Sequence, residues 1–224
     1  MILVHTEYSL LSSTIRIKGL IQKAKNEGIK ALAIADKGNL FGAIDFYKEA
    51  VKNGIKPIIG CDFGDFVLLC ENNAGYGNLI KLSSRFSING RLSISDLTSL
   101  KNGLICLYKN EDNKKFAQIF GQERFYIAIN EHNNQNANAP NAVYAKGIYY
   151  LEKSELEAYK VLNCIRENKI LNTAAFKNQS LHFEAQEKAD ENARKIEDMC
   201  EIEIKFHEYK LPKYDLPKGK NSRG

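Results

Sequence analysis

The sequence predicts an α/β protein built as a distorted β/α barrel, similar in plan to a TIM barrel, with roughly seven strands. Two observations predict it. Short apolar runs such as Ala31–Ala35 alternate with longer amphipathic stretches, the pattern of parallel β/α units. Acidic or imidazole side chains also follow several of the runs directly: His5 after Ile2–Val4, Asp36 after Ala31–Ala35, Asp62 after Pro57–Cys61, and His132 after Phe125–Ile129. Barrel enzymes gather their site residues at the C-terminal ends of strands. An open doubly wound sheet is the alternative architecture.

The elements follow in order. Ile2–Val4 is a short strand. Ile17 to Glu27 is helical, with Leu20, Ile21 and Ala24 on one face and Gly28 as its stop. Ala31–Ala35 is a small-apolar run of the kind buried on both faces. Asn39 is expected to cap a helix from Leu40 to about Lys52, with Phe41, Ile44, Tyr47, Lys48 and Val51 on its inner face. Pro57–Cys61 and Phe66–Cys70 read as strands, and Gly77–Ser84 as a helical turn or short helix. Strands at Leu104–Tyr108 and Phe125–Ile129 flank a helix at Lys114–Phe120, and Asn133–Asn141 is a loop. Val143–Ala145 and Ile148–Leu151 are short apolar pieces. Ser154 is expected to cap a helix to about Asn168, with Glu157 completing a capping box. A last amphipathic helix spans Glu184 to Cys200, followed by the extended piece Ile202–Ile204. Tyr209–Pro217 reads as an exit linker and Gly219–Gly224 as a disordered tail, so the chain divides into a domain of 1–208 and a linker of 209–224.

The bulk numbers bound the function classes. A chain of 224 residues supports one sizeable core. Its 44% hydrophobic and 26% charged residues argue against global disorder. The net charge of +5 is compatible with work near nucleic acid without requiring it. Lys and Arg are scattered among acids, and aromatics are not interleaved with them, which disfavours a single-strand stacking platform. Five cysteines, an odd number with no Cys-x-x-Cys pair, read as free thiols in a reducing compartment, and a cytoplasmic location is expected. No phosphate-binding Gly-rich loop and no Gly-x-Ser-x-Gly elbow occurs.

Three stretches carry a resemblance. They are His5-Thr6-Glu7-Tyr8-Ser9-Leu10-Leu11, Ala33-Ile34-Ala35-Asp36-Lys37-Gly38-Asn39-Leu40-Phe41-Gly42, and Gly54-Ile55-Lys56-Pro57-Ile58-Ile59-Gly60-Cys61-Asp62. Together they resemble the PHP (polymerase and histidinol phosphatase) domain of bacterial DNA polymerase III alpha subunits. Asn78–Ser83, Tyr150–Ile165, Glu191-Asn192-Ala193 and Glu208–Lys213 extend the likeness in order along nearly the whole chain, while Arg85–Gln186 is weaker and shortened.

The resemblance implies a distorted barrel whose open end holds up to three metal ions. The family's ligands are a His-x-His pair, a following acid, an Asp-His pair, a Glu, and later His, Cys and Asp-x-His residues. In this chain the pair reads Leu3-x-His5, the acid falls at Ser12, the Asp-His pair is Asp36-Lys37, and the Glu is Asp62. His132 matches a later His, the final Asp-x-His falls at Gly147 and Tyr149, and no residue matches the Cys. His5, Asp36, Asp62 and His132 are therefore expected as remnants of a metal site, able to hold at most one weakly bound Zn, Mn or Fe ion. Asp36 is expected to pair with Lys37, or to cap the turn that follows it. The resemblance further implies the N-terminal region of a replicative polymerase whose nucleotidyl-transfer centre lies downstream, in an absent palm. This region is expected to act as an inactive scaffold. It would support the polymerase, dock the proofreading exonuclease subunit, and meet DNA through the holoenzyme. An active metal-dependent phosphoesterase or 3′–5′ proofreading exonuclease is the alternative.

Overall fold

The computed structural model describes residues 2–109, 114–130, 135–171, 181–183 and 191–206. Among these residues eight strands form one sheet: β1 (Ile2–Val4), β2 (Ala31–Lys37), β3 (Lys56–Asp62), β4 (Phe66–Cys70), β5 (Leu104–Tyr108), β6 (Phe125–Ile129), β7 (Ala142–Tyr144) and β8 (Lys146–Ile148). Their spatial order is β7-β6-β5-β4-β3-β2-β1-β8. The edge strands β7 and β8 are separated in the chain by Ala145 alone. This one extended run pairs with β6 through its first half and with β1 through its second. It draws the two edges together and makes a distorted barrel. The run also explains why the sequence suggests roughly seven strands, since β7 and β8 are two halves of one stretch.

One pairing departs from the parallel β/α expectation. β4 is antiparallel to both β3 and β5. Only Phe63–Asp65 join β3 to β4, and a parallel crossover needs about a dozen residues. Phe63 N donates to Phe66 O at 2.9 Å, and Gly64 supplies the positive φ of 95° that the tight turn requires.

Among the described residues seven α-helices surround or cap the sheet: α1 (Ile17–Asn26), α2 (Ala43–Lys52), α3 (Asn73–Asn89), α4 (Ile94–Leu100), α5 (Lys114–Phe120), α6 (Leu156–Glu167) and α7 (Glu191–Met199). Several differ from their sequence expectation. α2 starts after Gly42, because Asn39 spends its side chain on the preceding turn, accepting from Phe41 N and donating to Tyr8 O and Lys37 O. Its buried face is Ala43, Phe46, Tyr47 and Ala50, whereas Phe41 and Val51 are exposed. α3 runs well beyond the short helix expected at Gly77–Ser84. Asn72 caps it by accepting from Gly75 N. Ser93 and Asp96 form the capping box of α4, a helix the hydrophobic pattern did not announce. A 3-10 turn at Lys153–Glu155 precedes α6, and Glu152 with Glu155 provides the capping box, not Ser154 with Glu157. Residues 184–190, the exit at 209–217 and the tail lie outside the described residues.

Strand alternation divides the core in two. Val4, Leu32, Ile34, Ile59, Cys61 and Leu68 point outward and pack beneath helices with Leu20, Ile21, Phe46 and Leu79. Leu3, Ala33, Ala35, Ile58, Val67, Ile105 and Leu107 point inward and fill the barrel with Ala193 and Ile196 of α7 and with Cys200 just after it. α7 closes the end where the parallel strands begin. Lys56 Nζ, at the start of β3, donates to Glu197 O, and Asn192 Nδ2 donates to Ala142 O at 2.7 Å, at the start of β7. The opposite end, where the parallel strands finish, is not covered by α7.

Candidate functional site

The inward register continues past the apolar layers. His5 stands two residues after Leu3, Lys37 two after Ala35, Asp62 two after Gly60, Lys109 two after Leu107, and Tyr149 two after Gly147. A period of two places all five on the inner side at the open end. Asp36 is one residue out of step and faces the other way.

His5 and Asp62 meet there. His5 Nε2 lies 2.8 Å from Asp62 Oδ2, and both residues are almost wholly buried, at 2% and 4% exposure. Lys109 Nζ donates to Asp62 Oδ1 at 2.6 Å, and Gly64 N donates to the same oxygen at 2.9 Å. Burial alone would raise the Asp62 carboxyl, but the His5 hydrogen bond and the Lys109 charge outweigh it and hold the group down to about 2. The His5 ring stacks on Tyr149, with centroids 4.3 Å apart and planes 12° apart. Gly147 makes room for this stack, since a Cβ on it would lie 3.2 Å from the Tyr149 ring and 3.6 Å from His5 Cε1. Burial raises the Tyr149 phenol, and the Asp62 charge adds to that shift.

Asp36 is engaged elsewhere. It accepts from Thr6 N at 2.6 Å, Thr6 Oγ1 at 2.7 Å and Ser9 Oγ at 2.6 Å, and is 2% exposed. It thus stitches the loop after β1 to the end of β2. The expected Asp36–Lys37 ion pair does not form. Lys37 Nζ instead lies over the Tyr149 ring, 5.3 Å from its centroid. Asp36 does not cap the following helix either. The carboxylate that gains a cation is Asp62, and the cation is Lys109, which sequence reasoning missed. Lys109 follows the strand Leu104–Tyr108 directly, the same signal that singled out His5. Ser12 accepts from Arg166 Nη1 at 3.1 Å, which ties α6 to the β1–α1 loop. His132 lies outside the described residues.

The model of the PHP domain family matches residues 2–114, half of the chain. This chain belongs to the PHP domain family. The DNA polymerase III subunit alpha of Staphylococcus epidermidis is 30% identical over 243 residues, covering 98% of this chain and 22% of that protein. The proteins of the same name from Halalkalibacterium halodurans and Borreliella burgdorferi are each 29% identical, over 265 and 290 residues, covering 96% and 99% of this chain and 24% and 25% of theirs. The chain thus spans about a quarter of the length of these relatives.

The residues of this PHP domain do not fit the metal cluster the fold implies. A two-ion hydrolytic site needs several nitrogen and oxygen ligands per ion. Leu3 and Gly147 offer none, and both oxygens of Asp36 and both of Asp62 already accept from protein donors. Lys37 and Lys109 bring positive charge to the place where an ion would sit. His5 Nδ1 is buried with no hydrogen-bond partner among the described residues, which leaves one uncommitted imidazole nitrogen. Among the described residues no group of three or more His, Cys, Asp or Glu side chains is placed to hold an ion. None of the described helices is long and apolar enough to cross a membrane.

Proposed function

We infer that the chain is the N-terminal PHP region of a replicative DNA polymerase III alpha subunit, and that this region is a catalytically inactive scaffold. Template-directed DNA synthesis belongs to the rest of the polymerase. The region supports that polymerase, docks the proofreading exonuclease subunit, and meets DNA only through the holoenzyme. The single observation that carries the inactive reading is the occupation of Asp62. His5 and Lys109 hold its two oxygens at 2.8 and 2.6 Å, so the carboxylate at the family's Glu position is neutralised by protein groups. At most one divalent ion would be held, weakly, beside His5. The identity to alpha subunits across nearly the whole chain supports the polymerase assignment.

The test has two parts. Phosphomonoester and DNA 3′-end hydrolysis are assayed with Mn²⁺ or Zn²⁺ for the chain and for Asp62→Asn, and equal background rates are expected. Metal-dependent turnover abolished by Asp62→Asn would establish the phosphoesterase alternative. Co-elution with the exonuclease subunit in gel filtration is expected, and separate elution would remove the docking role.

A further inference from the structure

The segment after α7 is a strap that climbs the outer wall of the barrel. Glu201 N donates to Glu71 O at 2.7 Å, just after β4 and beside the end that α7 covers. Asn73 then holds Glu203 through both backbone groups: its Nδ2 donates to Glu203 O at 2.8 Å, and its Oδ1 accepts from Glu203 N at 2.9 Å. Ile204 N donates to Tyr47 Oη at 3.1 Å, midway along α2. The Phe206 ring lies 6.0 Å from the Tyr47 ring, and Lys48 Nζ sits 4.7 Å from its centroid. These hydrogen bonds and ring contacts fix the direction of the strap as well as its place. It rises along α2 from the covered end of the barrel toward the opposite one.

Lys48 is also a wall of a cleft of about 470 Å³ between α2, the start of α1 and the β1–α1 loop. The charged walls are Glu7, Asp45 and Glu49 on one side of the balance and Arg16, Lys18 and Lys48 on the other. No ion pair joins any of the six among the described residues. Charges of both signs, close together and not spent on one another, suit an occupant that carries both signs itself. The residues that follow Phe206 are His207-Glu208-Tyr209-Lys210-Leu211-Pro212-Lys213-Tyr214, which bring an acid, two lysines and the apolar bulk of Leu211 and two tyrosines. From Glu49 to Asp45 the helix rises about 6 Å. Two extended residues span that distance at about 3.3–3.6 Å each.

We propose that the cleft between α1 and α2 is a docking groove for residues 207–214 of the same chain, as a continuation of the strap. Phe206 under Lys48 delivers the stretch to the mouth of the groove, so docking is intramolecular and needs little contact area to be favourable. A second copy of the chain would lack that advantage and would need about 800 Å² per partner to stay. The polypeptide beyond Tyr214 then departs from the outer wall beside α1 and α2. The groove depends on no metal and on no property of the inner site, and it stands whether or not the scaffold reading does.

The test is limited trypsin digestion of the full chain, read by mass spectrometry. Cleavage after Lys210 and Lys213 is measured against cleavage after Lys218 and Lys220 in the same molecules. That ratio is expected to rise about tenfold in the double variant Arg16→Gln/Glu49→Gln, because cleavage follows the population of the undocked segment. The double variant removes one charge of each sign from the groove and leaves Lys48 on Phe206. Lys81→Gln, on the exposed side of α3, is expected to leave the ratio unchanged. Zero-length carbodiimide coupling is expected to join Lys210 or Lys213 to Glu7, Asp45 or Glu49 within the monomer band. A ratio that ignores Arg16→Gln/Glu49→Gln overturns the proposal. Cross-links to these acids confined to the dimer band assign the groove to a second copy and overturn it as well.

Discussion

Lys109 places its ammonium 2.6 Å from Asp62 Oδ1, while His5 occupies the other oxygen of the same carboxylate at 2.8 Å. The acid side chain is almost fully buried and the lysine about one-third exposed. In this arrangement a side-chain cation supplies the counter-charge of the buried carboxylate. Removing it leaves a buried carboxylate with His5 and Gly64 alone. Lys109→Met is expected to destabilise the chain by about 2 kcal/mol, below the range for a wholly buried pair because solvent screens the lysine. Lys37→Gln, which breaks no ion pair among the described residues, is expected to change stability by less than about 0.5 kcal/mol. Urea denaturation of the two variants checks the contrast, and equal losses would contradict it.

Acid stability follows from the same carboxylate. The Asp62 carboxyl has an unfolded value of 3.8 and a folded value of about 2. Above the unfolded value the depressed group contributes its full stabilisation. As the pH falls from about 4 to about 2 the unfolded chain binds the proton first, and about 2 kcal/mol is lost. Asp62→Asn is expected to be less stable at neutral pH and to show a flatter profile through that window. Unfolding free energies from pH 2 to pH 7 measure it, and parallel profiles would show that Asp62 is not the titrating group.

Asp36 has a structural task of a different kind. Its three short hydrogen bonds from Thr6 and Ser9 hold the β1–α1 loop against the end of β2. Asp36→Asn turns one acceptor into a donor facing donors. It is expected to cost about 2 kcal/mol, with amide chemical-shift changes concentrated in residues 6–12. Shift changes spread evenly across the barrel would count against this local role.

Gly75 sets the seating of α3. A Cβ there would collide with the backbone carbonyl of Gly103, which itself takes φ of 72°. Neither backbone can yield without moving a helix or the start of β5. Gly75→Ala is expected to destabilise by about 3 kcal/mol, at the upper end for overpacking, despite alanine's better helix propensity. A thermal melt within a degree or so of the parent would refute the close approach.

Much of the fold was legible because its signals are local. The small-apolar run Ala31–Ala35 and the Gly28 and Gly54 stops are readable in the chain itself, and they fall where the strand and helix ends stand. The reversed β4 was harder. Phe66–Cys70 reads as a strand in either direction, and only the three-residue link Phe63–Asp65 reveals the hairpin. The long α3 was missed because Gly75 and Gly77 weaken its helical pattern, whereas packing against Gly103 makes the first of them necessary. At the site, His5 and Asp62 were found by their places at strand ends and do meet. Asp36 satisfied the same rule and turned outward, since a shift of one residue along a strand reverses the face. Lys109 went unnoticed because a lysine is not a metal ligand, although the register that placed Asp62 places it equally.

The most direct measurement is the metal content of the chain purified without chelator, with zinc, manganese and iron quantified per molecule. Ligands already committed to Lys109, Thr6 and Ser9 leave no cluster to fill, so the expected result is below about a tenth of an equivalent. Two or three tightly held ions per chain would contradict the account and make a metal-dependent phosphoesterase the leading reading.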